Sequence, residues 1–239
     1  MSDTSHVELI EALNSNDKPT IRAAVDALIP LLAGSAGLKE TLNALLLNAQ
    51  RKNRWAVAYV LAHLPQPPSK TIEILLDGLG HRDPEIRWAI GLLLVRLAKT
   101  ENKIVQSLSA LCATGSSAQK RMALYCLRDL NLNDKDSLQV LLRSLRDSDA
   151  TVRVAAVIGL RTRFDFDVND RKILLQVFLD DPDSRVRNAA ALTLSQWGSP
   201  SEEVLTALKK ASEGDNPQLK KAAASALAIL ENKKARSTR

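Results

Sequence analysis

The amino-acid sequence predicts an all-α protein, an α-solenoid that winds as a right-handed superhelix of about seven two-helix repeats. Three observations predict this fold class. A basic residue recurs at steps of 32 to 34 residues, an alanine follows each basic residue two positions later, and the composition is rich in leucine and alanine. The basic positions, here called the basic column, are Arg22, Arg54, Arg87, Arg121, Arg153, Arg187 and Lys220, and the alanines are Ala24, Ala56, Ala89, Ala123, Ala155, Ala189 and Ala222.

Length and composition agree with a repeat protein. Repeats of this period account for nearly all of the 239 residues without a linker. Aromatic residues make up only 3% of the chain, and glycine and proline number nine each, so strands are not expected. We expect a single domain over residues 1–232, followed by a basic, disordered tail over residues 233–239.

Each repeat consists of a leucine-rich amphipathic helix, a short polar turn, and a second helix that carries the basic and alanine positions. In the fifth repeat these helices are expected at residues 136–145 and 150–160, where the apolar residues have helical spacing. Four second helices have a residue suited to N-capping four positions before the basic column: Asp83, Asp149, Asp183 and Asn216. Pro84 and Pro217 follow two of these residues, at the first helical position, where proline is tolerated.

Three segments carry a resemblance to a known family. Residues 83–89, 149–155 and 183–189 share the order Asp, apolar residue, Arg, any residue, Ala. This order resembles the core of HEAT repeats, in particular the short HEAT-like repeats also found in phycobilisome lyases. Repeats two and four depart from it, with Gln50 and Ser117 in place of the aspartate.

The resemblance implies that first helices line the convex side of the superhelix and second helices the concave side. It also implies that the aspartate and arginine of the turn join neighbouring repeats. The basic column is therefore expected to be structural rather than catalytic.

A helical projection of the second helices suggests where a partner binds. Counted from the basic column, positions +1, +4, +5 and +8 lie opposite the apolar face and are expected to be solvated. In repeats two to five these positions are mostly apolar or aromatic, as a partner-binding surface is. Packing of the inner helices against one another, or self-association, is the alternative explanation. The candidate partner-binding residues are Trp55, Tyr59, Trp88, Leu92, Val95, Met122, Tyr125, Val154 and Ile158.

The sequence contains no recognisable catalytic or metal-binding motif. His6, His63 and His81 lack the spacing of a metal site, and Cys112 and Cys126 fall in different helices. There is no phosphate-binding loop, nucleophile elbow or CxxC motif. We therefore expect no catalytic residue, no metal and no cofactor.

The favoured function is a non-enzymatic scaffold whose concave face, over repeats two to five, holds a peptide, helix or protein partner. The net charge of +6 permits a second hypothesis, nucleic-acid binding along one edge. The basic residues of that edge are Arg51, Lys52, Arg54, Arg82, Arg87, Lys120, Arg121, Arg185 and Arg187. A third hypothesis is a phycobilin-lyase-like protein that cradles a tetrapyrrole and a target protein. No apolar run long enough for a membrane span and no signal segment is recognised, so a cytoplasmic protein is expected.

Overall fold

The structure is a computed structural model that describes residues 3–163, 167–197 and 201–237. Over these ranges the chain forms fourteen α-helices and no strand, which confirms the predicted α-solenoid class. The helices divide between two compact units, Met1–Ser107 and Leu108–Arg239.

The first unit contains six complete helices and the start of a seventh. These are α1 (Asp3–Ala12), α2 (Lys18–Leu31), α3 (Ala36–Leu47), α4 (Arg54–Leu61), α5 (Ser69–Gly78), α6 (Pro84–Ala98) and the beginning of α7 (Asn102–Thr114). Within this unit α1 packs on α2, α3 on α4, and α5 on α6. The hairpins also stack in order, because α2 contacts α4 and α3 contacts α5.

The second unit contains the rest of α7 and the last seven helices. These are α8 (Ser117–Leu130), α9 (Lys135–Ser144), α10 (Ala150–Leu160), α11 (Val168–Asp180), α12 (Ser184–Gln196), α13 (Glu202–Glu213) and α14 (Pro217–Ser237). The even-numbered helices α8, α10, α12 and α14 pack in succession, and α9, α11 and α13 each cover the helix that follows. Even-numbered helices are the second helices of their repeats in both units.

Leucine side chains and the alanine positions fill the core. Leu28, Leu42 and Leu61 are fully buried in the first unit, as Leu160 is in the second. Burial of each such side chain contributes about 2 kcal/mol, so most of the folding free energy comes from the contacts within and between hairpins. The alanines are buried in all repeats except the third, where Ala89 is half-buried.

The predicted capping residues begin their helices. The side chains of Asp83, Asp149 and Asp183 accept hydrogen bonds from the backbone N–H two residues on, at 2.7 to 2.8 Å. Asn216 does the same for α14, at 3.1 Å. Hydrogen bonds from Ser117 and Thr151 hold the pKa of Asp149 at about 2. In repeat four Ser116 caps α8 through a capping box with Gln119.

Arginines of the basic column fold back onto the turn before their own helix. Arg54 donates two hydrogen bonds to the carbonyl of Leu46, at the end of α3. Arg87 donates to the carbonyls of His81 and Arg82, and Arg153 to those of Asp147 and Ser148. Arg187 likewise donates to the carbonyl of Asp181. These bonds satisfy carbonyls that the end of a helix leaves without a partner. The end members of the column differ, since Arg22 and Lys220 are exposed.

A second set of polar groups was not recognised in the sequence. Six residues before the basic column, Asn48, His81, Asp147 and Asp181 each accept a hydrogen bond from the backbone N–H two positions on, at 2.9 to 3.0 Å. They recur at the repeat period, which is the signal that the sequence offered. Their side chains fix the turn between the two helices of a repeat.

Ion pairs join repeats within each unit. In the first unit Lys18 lies 2.9 Å from Asp83 and 2.6 Å from Glu85. In the second unit Lys120 pairs with Asp147, and Arg153 pairs through two nitrogens with Asp181. The partner of Arg153 is thus Asp181, and the capping Asp183 acts on it only through its charge.

Helix α14 is described through Ser237, so residues 233–237 of the predicted tail have helical backbone. Thr238 and Arg239 lie outside the described residues. A single domain over residues 1–232 stays a prediction.

Candidate functional site

The most exposed candidate residues lie on α6. Trp88 is 45% exposed and Leu92 is 52% exposed, and Val95 is half-buried. Trp88 and Leu92 are four residues apart, so they stand on the same side of the helix, one turn apart. Large apolar side chains exposed together are uncommon on a protein without a partner.

Trp55, on α4, is packed more tightly than Trp88. Its ring makes an edge contact with the ring of His81, with centroids 5.8 Å apart and planes at 61°. Its Cβ lies close to the backbone of Gly78 on α5, 3.7 Å from where a β-carbon would stand. The indole N–H is buried and has no hydrogen-bond acceptor among the described residues. Trp55 therefore supports the third repeat as well as contributing to the surface.

Tyr59, on α4, and His63, two residues beyond its end, lie four and eight residues after Trp55. Their ring centroids lie 5.5 Å apart, and Nδ1 of His63 donates to the carbonyl of Tyr59 at 2.9 Å. Burial raises the pKa of Tyr59, and the positive charge of Arg96 opposes this rise. Burial also lowers the pKa of His63, and Arg96 lowers it further. The charge of Arg96, near the end of α6, therefore acts on both Tyr59 and His63.

The candidate residues of the second unit are less accessible. Met122 is only 5% exposed, so its predicted place on a solvated face is wrong. Its neighbour one turn on, Cys126, is buried as well. Tyr125 is half-buried, with the guanidinium of Arg128 5.2 Å from its ring centroid. Val154 and Ile158, on α10, are half-buried.

The helical projection placed one position on the wrong side. Position +4 was expected to be solvated, yet Ala58, Gly91, Val157 and Ala191 occupy it and are buried. Second helices pack on each other where α2 meets α4, and where α10 meets α8 and α12, and mostly small residues at this position allow their close approach. The exposed side is narrower than predicted and, outside repeat four, follows positions +1 and +5. We call its part in the first unit, formed by Trp55, Tyr59, Trp88 and Leu92, the aromatic face.

The basic residues proposed for nucleic-acid contact are largely engaged within the fold. Arg54, Arg87 and Arg187 bind backbone carbonyls, as does Arg51, which donates to Ile10. Lys120 and Arg185 pair with aspartates. Lys52 donates to the side chain of Asn16, and Arg121 acts on Asp149 through its charge. Arg82 is exposed. Most of these side chains therefore already interact with groups of the protein itself.

The cysteines have the properties of core side chains. Both are buried, and burial raises the pKa of Cys112 and of Cys126 to about 12. Thiols with such a pKa are not reactive near neutral pH. Within the described part of the chain no three His, Cys, Asp or Glu side chains gather as metal ligands do. None of the described helices is both long and apolar enough to cross a membrane.

Comparison with protein families identifies the repeats. A family model described as HEAT repeats matches residues 72–161, 105–195 and 138–228. Together these matches cover well over half of the chain. No curated protein matches the sequence significantly.

Comparison with solved structures returns natural and engineered proteins. The complex of CpcE and CpcF of phycocyanin lyase from Nostoc sp. PCC7120 aligns with a TM-score of 0.54 and 20% identity, over 65% of this chain and 97% of that one. An engineered protein aligns with a TM-score of 0.45 and 21% identity, over 93% of this chain and 67% of that one. Human deoxyhypusine hydroxylase aligns with a TM-score of 0.45 and 15% identity, over 97% and 86%. At these identities the first likeness shows the fold alone.

Proposed function

The chain belongs to the HEAT repeat family, and from this premise we propose that it is a non-enzymatic scaffold that binds a protein partner through its second helices. The binding surface is the aromatic face, on the side predicted to be concave. A helical or extended segment of the partner lies across α4 and α6. This surface needs no catalytic group or cofactor.

One observation carries the proposal. Trp88 and Leu92 are 45% and 52% exposed, although the other large apolar side chains of α6 are buried or half-buried. Leaving both side chains in water forgoes about 2 kcal/mol or more of burial. Tryptophan is also among the residues that most often dominate the binding energy of an interface. A partner that covers both side chains removes them from water and so recovers this free energy of burial.

Paired variants test the surface. We expect Trp88→Ala with Leu92→Ala to weaken capture of a protein partner at least tenfold, measured by quantitative affinity purification from a cell extract. The matched control is Leu47→Ala, because Leu47 is 62% exposed but lies on α3, a first helix. Equal capture by the double variant and by the wild type would contradict the proposal.

Stability measurements separate the surface from the core. Trp88→Ala and Leu92→Ala are each expected to lower the free energy of unfolding by about 1 kcal/mol, less than loss of a buried side chain would, since each side chain is about half exposed. Trp55→Ala is expected to destabilise by about 2 kcal/mol, because the ring packs on His81 and beside Gly78. Trp55→Phe keeps most of that packing and removes the buried N–H that lacks an acceptor, so it should cost less than Trp55→Ala. Urea unfolding followed by circular dichroism checks all four variants.

Tetrapyrrole binding is the enzymatic alternative. The likeness to subunits of a phycocyanin lyase complex is one of fold, at 20% identity. A free bilin mixed with the protein tests this alternative directly. A shifted and intensified visible absorption band that the Trp88→Ala variant lacks would favour it over the scaffold.

A further inference from the structure

The exposed side of α6 ends in a positive charge. Trp88, Leu92 and Arg96 follow one another at intervals of four residues, so they share one side of the helix over about 12 Å. All three side chains are exposed. From its N-terminal to its C-terminal end, this side of α6 therefore presents an aromatic, an aliphatic and a cationic side chain.

The preceding repeat carries side chains at the same three positions, on α4 and just beyond its end. Trp55, Tyr59 and His63 have the same spacing, and they occupy the same positions in the preceding repeat. The charge of Arg96 acts on both Tyr59 and His63. Arg96 thus lies near the ends of both helices and gives that end of the aromatic face its charge.

The acidic groups around the face are already paired. Asp26, on α2, also acts on Tyr59, but its carboxylate lies 4.0 Å from Nε of Arg22. At the other end of the face, Glu85 and Asp83 both contact Lys18. No carboxylate among the described residues lies within ion-pair distance of Arg96. The C-terminal dipole of α6 favours the positive charge of Arg96.

We propose that the partner segment is acidic as well as apolar. It is a helix that places two apolar side chains one turn apart on Trp88 and Leu92, and an aspartate or glutamate about one turn further on, against Arg96. The guanidinium then gains a carboxylate in a partly desolvated site, where such a pair is stronger than on an open surface. This assignment of the partner's chemistry rests on the proposed binding function of the aromatic face.

A display selection measures which peptide chemistry the aromatic face prefers. A library of random 16-residue peptides is selected on immobilised wild-type protein and on the Arg96→Glu variant. Lys103→Glu is the matched control, because Lys103 is an exposed cation on α7, a first helix, near its N-terminus, where a negative charge is tolerated. Circular dichroism confirms that each variant keeps its helical content.

The expected result is a reversal of charge preference. Wild type and Lys103→Glu enrich peptides with two apolar residues one turn apart followed by Asp or Glu, whereas Arg96→Glu enriches Lys or Arg at that place. A selected acidic peptide should bind Arg96→Glu at least tenfold more weakly than wild type, measured by fluorescence anisotropy.

Other outcomes overturn different parts of the proposal. Apolar peptides enriched without charge preference, and lost on Trp88→Ala, would overturn the acidic partner but leave the binding face standing. Selected peptides whose affinity does not change on Trp88→Ala with Leu92→Ala would overturn the face itself. A selection that enriches nothing on wild type would overturn both.

Discussion

At the scale of single residues, His81 does the work of an aspartate. In repeats five and six a carboxylate at the same position accepts the N–H of the capping residue, and in repeat two Asn48 accepts an N–H of its turn. In repeat three Nδ1 of His81 accepts the N–H of Asp83 at 3.0 Å. A ring nitrogen can accept this bond only while it is unprotonated. The turn of repeat three is thus sensitive to protonation in a way that the other turns are not.

We therefore expect a pH dependence that belongs to His81. Burial lowers the pKa of His81 from its ordinary 6.5, so the folded state favours the neutral ring. Its contribution to stability is present above pH 6.5 and is lost as the pH falls below that value, because the unfolded chain then binds the proton more readily. Between pH 7 and pH 5 the free energy of unfolding should fall by about 0.5 kcal/mol less in His81→Asn than in wild type.

Urea unfolding at the two pH values measures this difference. His63, whose pKa is also lowered, is present in both proteins and cancels in the comparison. His6→Asn serves as the control at a site away from the turns. An identical loss of stability in wild type and His81→Asn would show that the bond from Asp83 is not coupled to protonation.

The sequence predicted some of these residues and missed others. The capping aspartates were recognised because a cap is local, set by a side chain and a backbone N–H two residues away. The different burial of Trp55 and Trp88 was not recognised in the sequence, although both residues occupy position +1. His81 and Gly78 make that difference by packing on Trp55, and they belong to the neighbouring repeat. Burial that depends on a neighbouring repeat does not follow from the spacing within one repeat.

At the scale of helices, small residues set how closely the elements approach. A β-carbon on Gly159 of α10 would stand 2.5 Å from Cδ2 of Leu141 on α9. A contact shorter than 3.0 Å is too close for two carbon atoms, so Leu141 would have to move. The first and second helices of repeat five are therefore in contact through a glycine.

Substitution of Gly159 by alanine and by valine is expected to change the stability by different amounts. Gly159→Ala gains about 1 kcal/mol in helix propensity and loses a similar amount because Leu141 has to move, so its net effect is small. Gly159→Val adds bulk that this movement cannot absorb and should destabilise by about 2 kcal/mol. Thermal unfolding of the two variants beside wild type measures both effects. A valine variant as stable as the alanine variant would mean that α9 and α10 can separate freely.

The ends of the helices were well predicted, whereas the side that each helix buries was predicted less well. The second helix of repeat five was expected at residues 150–160 and is observed at Ala150–Leu160. The first was expected at 136–145 and lies one residue earlier, at Lys135–Ser144. Period and caps define where a helix begins and ends. The side that it buries also depends on the next second helix, which is why position +4 and Met122 were assigned wrongly.

At the scale of the whole molecule, the stability of a repeat protein is approximately the sum of contributions from each repeat and from the contacts between neighbouring repeats. In the second unit α14 packs on α12 and buries Ala222, Ala223 and Ala226. A repeat protein loses the contacts of an end repeat when that repeat is removed, and the newly exposed helix needs a polar surface to stay soluble. Most of the buried side chains of α12 are apolar, among them Val186, Ala190 and Leu194.

Removal of residues 201–239, which takes away α13 and α14, should therefore cost about 3 kcal/mol or more. We expect a lower melting temperature and increased binding of a dye that reports exposed apolar surface. Removal of residues 233–239 alone is the control, and it should change neither quantity if this segment is a tail. Unchanged melting after the larger deletion would show that the last repeat does not support the one before it.

The arginines that donate to carbonyls of their own turns have a consequence for how the number of repeats can evolve. Arg54 and Arg87 find their carbonyl partners within the same period of about 33 residues. A segment of the coding sequence that spans one period therefore encodes its own turn closure. Duplication or deletion of such a segment in frame keeps these arginine–carbonyl bonds intact. Lineages can lengthen or shorten a protein of this kind in whole repeats, while the residues at positions +1 and +5 change independently with the partner.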